Sequence, residues 1–292
     1  MRLLALIALL AAAAPALAQP LKQSAWLPPG SDISGDINQH PREALDGGAA
    51  QTFYVELGRL AFRSPEILGG NARRAGMSCN ACHPSGHTNT RFFVPSVSDA
   101  PGRIDVTHSL WNHRGEDGVF NPLPIPTLRD IYMKARLGHD GRLASLREFT
   151  RNVIVLEFAG DEPSPLILDA LTAYLLKLRT PADPSPEPVT LAGDIADLKR
   201  SLAVLRTALL DEDAVLAELV IRMVRGEAGA IAERFSETAQ QPLASWTAWL
   251  RAVDGLVASR DYPTALRHVE AMRDELPAVA AHLPVAGSLY RQ

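Results

Sequence analysis

Apolar residues recur along much of this chain at steps of three and four, the period of a helix that buries one face. Phe53, Leu57, Leu60 and Ala61 share such a face, and Pro65 with Gly69-Gly70 closes the segment. Leu143, Leu146, Phe149 and Val153 predict a helix over 143–155, and a further one follows over 166–178. The pattern then breaks at Thr180-Pro181-Ala182-Asp183-Pro184-Ser185-Pro186-Glu187-Pro188, which is too proline-rich to be helical. Beyond it the stripes lengthen. Leu191, Ile195, Leu198, Leu202, Leu205 and Leu209 form one, and Leu243, Trp246, Leu250, Val253 and Val257 form another. A more uniformly apolar helix is predicted over 214–225, ended by Gly226. The last is predicted from Asp261-Tyr262-Pro263 to Leu276, stopped by Pro277. Trp246 and Trp249 read as core packing, since aromatic residues at helical spacing usually pack.

Two stretches carry no such period. Residues 19–50 are rich in Pro, Gly, Asp and Ser and predict an extended arm. Residues 84–126 carry Pro, Gly, Asn and His without periodicity, and so long an irregular segment in a compact domain is usually functional. The expectation is an all-α protein: an arm over 19–50, a helical domain with long irregular loops over 51–180, a linker over 181–188, and an antiparallel helical bundle over 189–292.

Composition changes this picture in one respect. With 292 residues and 47% apolar content, the chain can build ordinary cores, and a net charge of −4 disfavours nucleic acid as a partner. Its beginning is different in kind. Arg2, the apolar run Leu3 to Ala14, and Ala16-Leu17-Ala18 have the order of a secretory signal over residues 1–18. The mature chain is expected to start near Gln19, in the periplasm or otherwise exported, with no membrane span.

Chemistry concentrates at Cys79-Asn80-Ala81-Cys82-His83, the pattern of a c-type haem attachment site. Each thiol can add to one vinyl group of the porphyrin, and the adjacent imidazole can take the iron. A zinc half-site needs further ligands, and the chain has no other cysteine. A redox disulfide usually follows a strand, and residues 71–78 do not read as one. One covalent haem c is therefore expected, on Cys79, Cys82 and His83.

Four segments in order then resemble one family: Leu57-Gly58-Arg59-Leu60-Ala61-Phe62, Ser78 to His83, Pro126-Thr127-Leu128-Arg129-Asp130, and His139-Asp140-Gly141-Arg142-Leu143-Ala144-Ser145-Leu146-Arg147-Glu148. Together residues 53–178 resemble the bacterial di-haem cytochrome c peroxidases and their MauG-like relatives. The resemblance implies a cytochrome c fold around the haem and does not extend past the linker. That family carries two haems per chain, and this chain has one attachment motif. Where the family often has a tryptophan between its haems, this chain has His139; where its electron-storing half has a ligand methionine, this chain has Val153.

The sixth iron position decides between carrying electrons and reacting with peroxide. Candidates are His87, His108, His113, Met133 and His139. His113 matches best the displaceable distal histidine that the resemblance implies before the Pro-Thr signature, with Met133 as the runner-up. Glu157, after the apolar run Val153-Ile154-Val155-Leu156, falls near the family's distal acid, and such surroundings would raise its pKa. Arg129 and Arg142 are candidates for the haem propionates. The expected function is that of an exported single-haem cytochrome serving a redox partner protein. The alternatives are a peroxidase using Glu157 as its acid, and a protein that docks on a redox enzyme through its helical bundle.

Overall fold

The structure, a computed structural model, describes residues 26–48, 51–138, 141–236 and 238–283. Among these the regular structure is helical apart from two antiparallel pairs of two-residue strands. No helix there is long and apolar enough to cross a membrane. The expected signal over 1–18 lies outside the described residues.

The arm is more ordered than its composition suggests. It contains a short helix α1 (Ile33–Ile37) and a strand β1 (Gln39–His40). After it come α2 (Phe53–Arg63), α3 (Gly70–Arg74) and α4 (Cys79–Cys82). The Thr52 hydroxyl accepts from Val55 N to cap α2. The irregular stretch that follows holds one antiparallel pair, β2 (Arg103–Ile104) with β3 (Leu123–Pro124). α5 (Leu146–Asn152) starts three residues later than the periodicity predicts, because Leu143 bridges back to Leu137. It then widens into a π turn, Val153–Glu157. α6 (Pro165–Lys177) follows and packs along α2. Only a glycine fits at position 58, where a Cβ would lie 2.0 Å from the Ala170 carbonyl oxygen on α6.

The predicted linker is not a free tether. It contains β4 (Glu187–Pro188), which pairs with β1 of the arm. Beyond it α7 (Leu191–Leu210), α8 (Ala214–Ala232), α9 (Gln241–Ala258) and α10 (Tyr262–His282) pack in a ring, each on the next and α10 back on α7. The short connections make this an up-and-down four-helix bundle. Thr190, Asp213 and Asp261 cap α7, α8 and α10 through their side-chain oxygens.

Two predicted helix ends are wrong. Gly226 does not end α8. Val220, Val224, Ala228 and Ile231 continue the buried face to Ala232, and that burial outweighs the roughly 1 kcal/mol that a mid-helix glycine costs. Pro277 does not stop α10 either. It lies on the exposed side, where water can take the carbonyl its ring leaves unpaired. Trp246 is buried and its indole N–H donates to the Met272 carbonyl at 2.9 Å, as a core residue should. Trp249 departs from the core reading: it turns off the stripe, is 47% exposed, and lies against the His268 ring.

A buried ionic cluster joins the two helical stretches. Glu43 of the arm receives Arg59 Nε at 2.7 Å, Arg63 Nη2 at 3.1 Å and the Tyr174 hydroxyl at 2.7 Å. The same two arginines reach Asp197 on α7 at 3.0 and 2.6 Å. Burial pushes the Glu43 carboxyl up, but Arg63, Arg59 and Tyr174 outweigh it and hold its pKa at about 2. An unfolded glutamate titrates near 4.5. The stability that Glu43 lends is therefore complete above that pH and drains as pH falls toward 2. Glu43→Gln should cost about 3 kcal/mol at pH 7, as removing one partner of a buried ion pair does. Urea midpoints should show a wide gap between wild type and variant at pH 7 and a narrow one at pH 3. A gap that does not depend on pH would mean that the cluster does not hold Glu43 ionised.

Candidate functional site

α4 is a single helical turn packed against α2, with its own Cys82 buried and the buried Met77 just before it. A spacing of three puts the Cys79 and Cys82 thiols on one side of that turn. His83 caps the turn, with its amide donating to the Cys79 carbonyl at 2.9 Å and its backbone leaving helical angles. Asn80 and Asn89 tie down the next loop: Ser85 N donates to Asn80 Oδ1 at 3.0 Å, and Asn89 Nδ2 to the Ala81 carbonyl at 2.8 Å. Gly86 has a φ of +74°, and a Cβ there would meet the Leu178 side chain at 2.7 Å. The segment after Pro126 is held to the same loop, with Leu128 N donating to the Gly86 carbonyl at 2.8 Å.

This anchoring sets up the decisive contact. His83 Nδ1 lies 2.9 Å from the Pro126 carbonyl oxygen. A carbonyl can only accept, so Nδ1 carries the proton and Nε2 keeps a free lone pair. Burial holds the His83 pKa down at about 4, against the opposing pull of the Pro126 bond and with help from nearby Lys134. The ring is neutral at pH 7 with one nitrogen ready to bind a metal, and the backbone fixes its orientation.

The thiols are the opposite of reactive thiolates. Burial pushes Cys79 up to about 12 and raises Cys82 as well. Among the described residues no three His, Cys, Asp or Glu side chains converge as metal ligands. A closed zinc site, which needs four protein donors, does not fit here. Haem does, because the porphyrin supplies four donors and asks the chain for one or two. Among the described residues eleven large apolar side chains are left exposed, and six of them lie between residues 119 and 156: Val119, Phe120, Leu123, Tyr132, Met133 and Leu156. That is apolar surface in the stretch available to cover a flat apolar group.

The structure sorts the other predicted site residues. Arg129 is buried; its Nη2 donates to the Arg42 carbonyl at 2.6 Å, and its buried Nε has no partner among the described residues. The unpartnered Nε–H is a buried donor that an anionic group could take. Arg142 lies exposed at the surface. His108 Nδ1 accepts from Leu110 N at 3.0 Å, which puts the ring proton on Nε2 and leaves neither nitrogen free for a metal. His87 is exposed beside Arg129. His139 lies outside the described residues. Met133 is 73% exposed, one residue before Lys134, whose charge His83 feels. His113 is exposed in a loop that the structure brings against the Glu157 turn, where Asn112 Nδ2 donates to the Leu156 carbonyl at 2.6 Å. No hydrogen bond or ion pair among the described residues joins His113 or Glu157 to His83. Pro126, Lys134 and Asn112 escaped the sequence reading as site residues. Pro126 acts through its backbone oxygen, and no residue pattern marks that.

Comparison of the chain with family models, with curated proteins and with solved structures finds no match.

Burial alone raises the Glu157 pKa to about 7, and no hydrogen bond to its side chain opposes this. A carboxyl whose folded pKa exceeds its unfolded value lends stability below the unfolded pKa and loses it as pH rises through the folded one. Glu157→Gln, which stays neutral throughout, should therefore have a higher urea midpoint than wild type at pH 8. The two midpoints should converge once the pH falls below the unfolded value of 4.5. Equal midpoints at pH 8 would show that the carboxyl is well hydrated.

Proposed function

We propose that this protein is an exported c-type cytochrome with one covalent haem that passes electrons to a redox partner protein. The observation that carries the reading is the His83–Pro126 contact, which presents a neutral imidazole with a free Nε2 directly after a helical turn bearing two protonated thiols. Cys79 and Cys82 would hold the haem covalently, His83 would bind its iron, and the Arg129 Nε–H would meet a propionate. The haem, when attached, supplies a one-electron redox centre. Two thioether anchors and the oriented His83 ring would fix it in one orientation, and the exposed Val119, Phe120, Tyr132 and Met133 leave apolar surface for a partner to cover. Both cysteines belong to one motif, so a second covalent haem has no anchor. Met133 and His113, both exposed, would be open to serve as a sixth ligand.

Intact-mass measurement on periplasmic material should give one haem on a chain that begins near Gln19. Cys82→Ala should lose stable attachment. The absorption spectra of both oxidation states should show a c-type centre that reduces reversibly. Protein that matures without haem in a host competent for cytochrome c assembly would overturn the reading.

A second reading, a peroxidase related to the di-haem enzymes, is favoured by one observation. Glu157 is half-buried with a pKa near 7, where a group can both give and take a proton. A positioned acid typically contributes 10²–10⁴-fold to such a step. The proposed carrier should therefore turn over peroxide slowly with a reduced small cytochrome as donor. Whatever turnover exists should fall at least tenfold in Glu157→Gln. Fast wild-type turnover would replace the first reading by the second, and turnover that survives Glu157→Gln would remove Glu157 from the site.

A further inference from the structure

Two segments far apart in sequence meet at one side chain. The first is the turn that ends the α5 region. Its π geometry sends Phe158 N back to the Val153 carbonyl at 3.1 Å and Gly160 N to the Ile154 carbonyl at 2.8 Å. Ala159 then leaves the helix with a φ of +51°. The Leu156 carbonyl is thereby left without a helical donor. The second segment is Asn112-His113-Arg114-Gly115. There Asn112 Oδ1 accepts from Arg114 N at 3.0 Å, and the Asn112 carbonyl accepts from Gly115 N at 3.0 Å, so Asn112 shapes the turn that displays His113. Its other amide atom, Nδ2, donates to Leu156 O at 2.6 Å.

The contact is pressed as well as bonded. A Cβ at Gly115 would lie 3.2 Å from that same Leu156 oxygen. Behind it Trp111 and Phe158, both buried, face each other with ring centroids 5.8 Å apart. Asn71 Nδ2 holds the Leu110 carbonyl at 2.7 Å and fixes the base of the loop to α3.

We infer that Asn112 is a positioning residue: its amide clips the His113 loop to the Glu157 turn, so that the two side chains take up position as one unit. The inference rests on the reading of His113 and Glu157 as site residues. In consequence, any movement that brings His113 toward or away from the sixth iron position carries the Glu157 turn with it. One hydrogen bond to a backbone oxygen couples the ligand to the acid.

Asn112→Asp is the discriminating variant. A carboxylate keeps the acceptor for Arg114 N, loses the donor, and sets a negative oxygen against the Leu156 carbonyl. Packing of Trp111 on Phe158 remains, so the variant should fold. Hydrogen exchange on the full haem-loaded chain, with haem content checked by intact mass, should show residues 112–115 and 157–160 opening faster together. Loss of one neutral hydrogen bond implies a change of about two- to tenfold. Amides of α7 to α10 should not change. The ferric absorption spectrum should shift in the same direction as in His113→Ala, and the double variant should shift no further. Faster exchange confined to 112–115, or no change in either segment, overturns the clip. A spectrum that moves in His113→Ala but not in Asn112→Asp overturns its positioning role. A spectrum unmoved by His113→Ala fails the assignment of His113 as a ligand, and the exchange result then decides the clip alone.

Discussion

Glu43 belongs to the arm, yet its two oxygens reach Arg59 and Arg63 on α2 and the Tyr174 hydroxyl on α6. The same arginines continue to Asp197 on α7. Two guanidiniums and two carboxylates out of water are costly unless each is paired, and here each guanidinium meets both carboxylates. The arrangement can form only when the arm, the α2–α6 pair and the bundle are all in place. It therefore acts as a condition on the whole fold. The arm serves both sides of it. Its β1 pairs with β4 of the proline-rich segment, Arg179 N donates to the Ala44 carbonyl at 2.9 Å, and Arg234 of the bundle reaches the Asn38 side chain at 2.7 Å.

The candidate site depends on that closure. α4 rests on α2, and the loop after His83 rests on Leu178 at the end of α6. Asp130 N donates to the Leu178 carbonyl at 3.1 Å, and the Asp130 carboxylate accepts from both the amide and the hydroxyl of Thr180. The Pro126–Asp130 segment is thus braced at both ends, and the carbonyl that orients His83 belongs to a rigid piece of backbone. Pre-organisation of this kind makes a ring nitrogen a dependable ligand.

The His83 turn and the Glu157–His113 region differ in how they are held. On the His83 side Cys82 is buried, Cys79 and His83 are half-buried, and desolvation shifts the thiols up and the imidazole down, away from neutral pH. Around Glu157 and His113 the side chains reach solvent, the backbone is a π turn and an irregular loop, and the carboxyl titrates near 7. π turns recur where a helix must present a group at a functional site. The contrast is between a turn held by backbone hydrogen bonds and a solvent-facing loop and π turn.

Much of this was legible in residue pattern alone. The helical stripes of α2, α7 and α9 stand in the sequence because burial of one face imposes a period of 3.6, and tertiary packing keeps that period. The spacing of Cys79 and Cys82 predicts two thiols on one side of a helical turn, and α4 is that turn. Glu157 was marked by its apolar neighbours, because desolvation follows local composition when a helix end is involved. What stayed illegible depended on segments meeting across long separations. No period told that Gly226 and Pro277 lie inside helices, because packing of the whole bundle overrides a local cost of a few kcal/mol at most. Trp249 shares the bundle's stripe region but faces outward, a matter of tens of degrees of rotation that only the neighbouring α10 decides. His108 and His113 look alike as letters. One has its acceptor nitrogen occupied by Leu110 N, and the other is displayed on a turn clipped to Leu156. The composition of the chain names the groups able to bind and to titrate. Which of them face one another, and with which nitrogen free, is set by backbone carbonyls such as those of Pro126 and Leu156, which every residue carries and only the folded chain places.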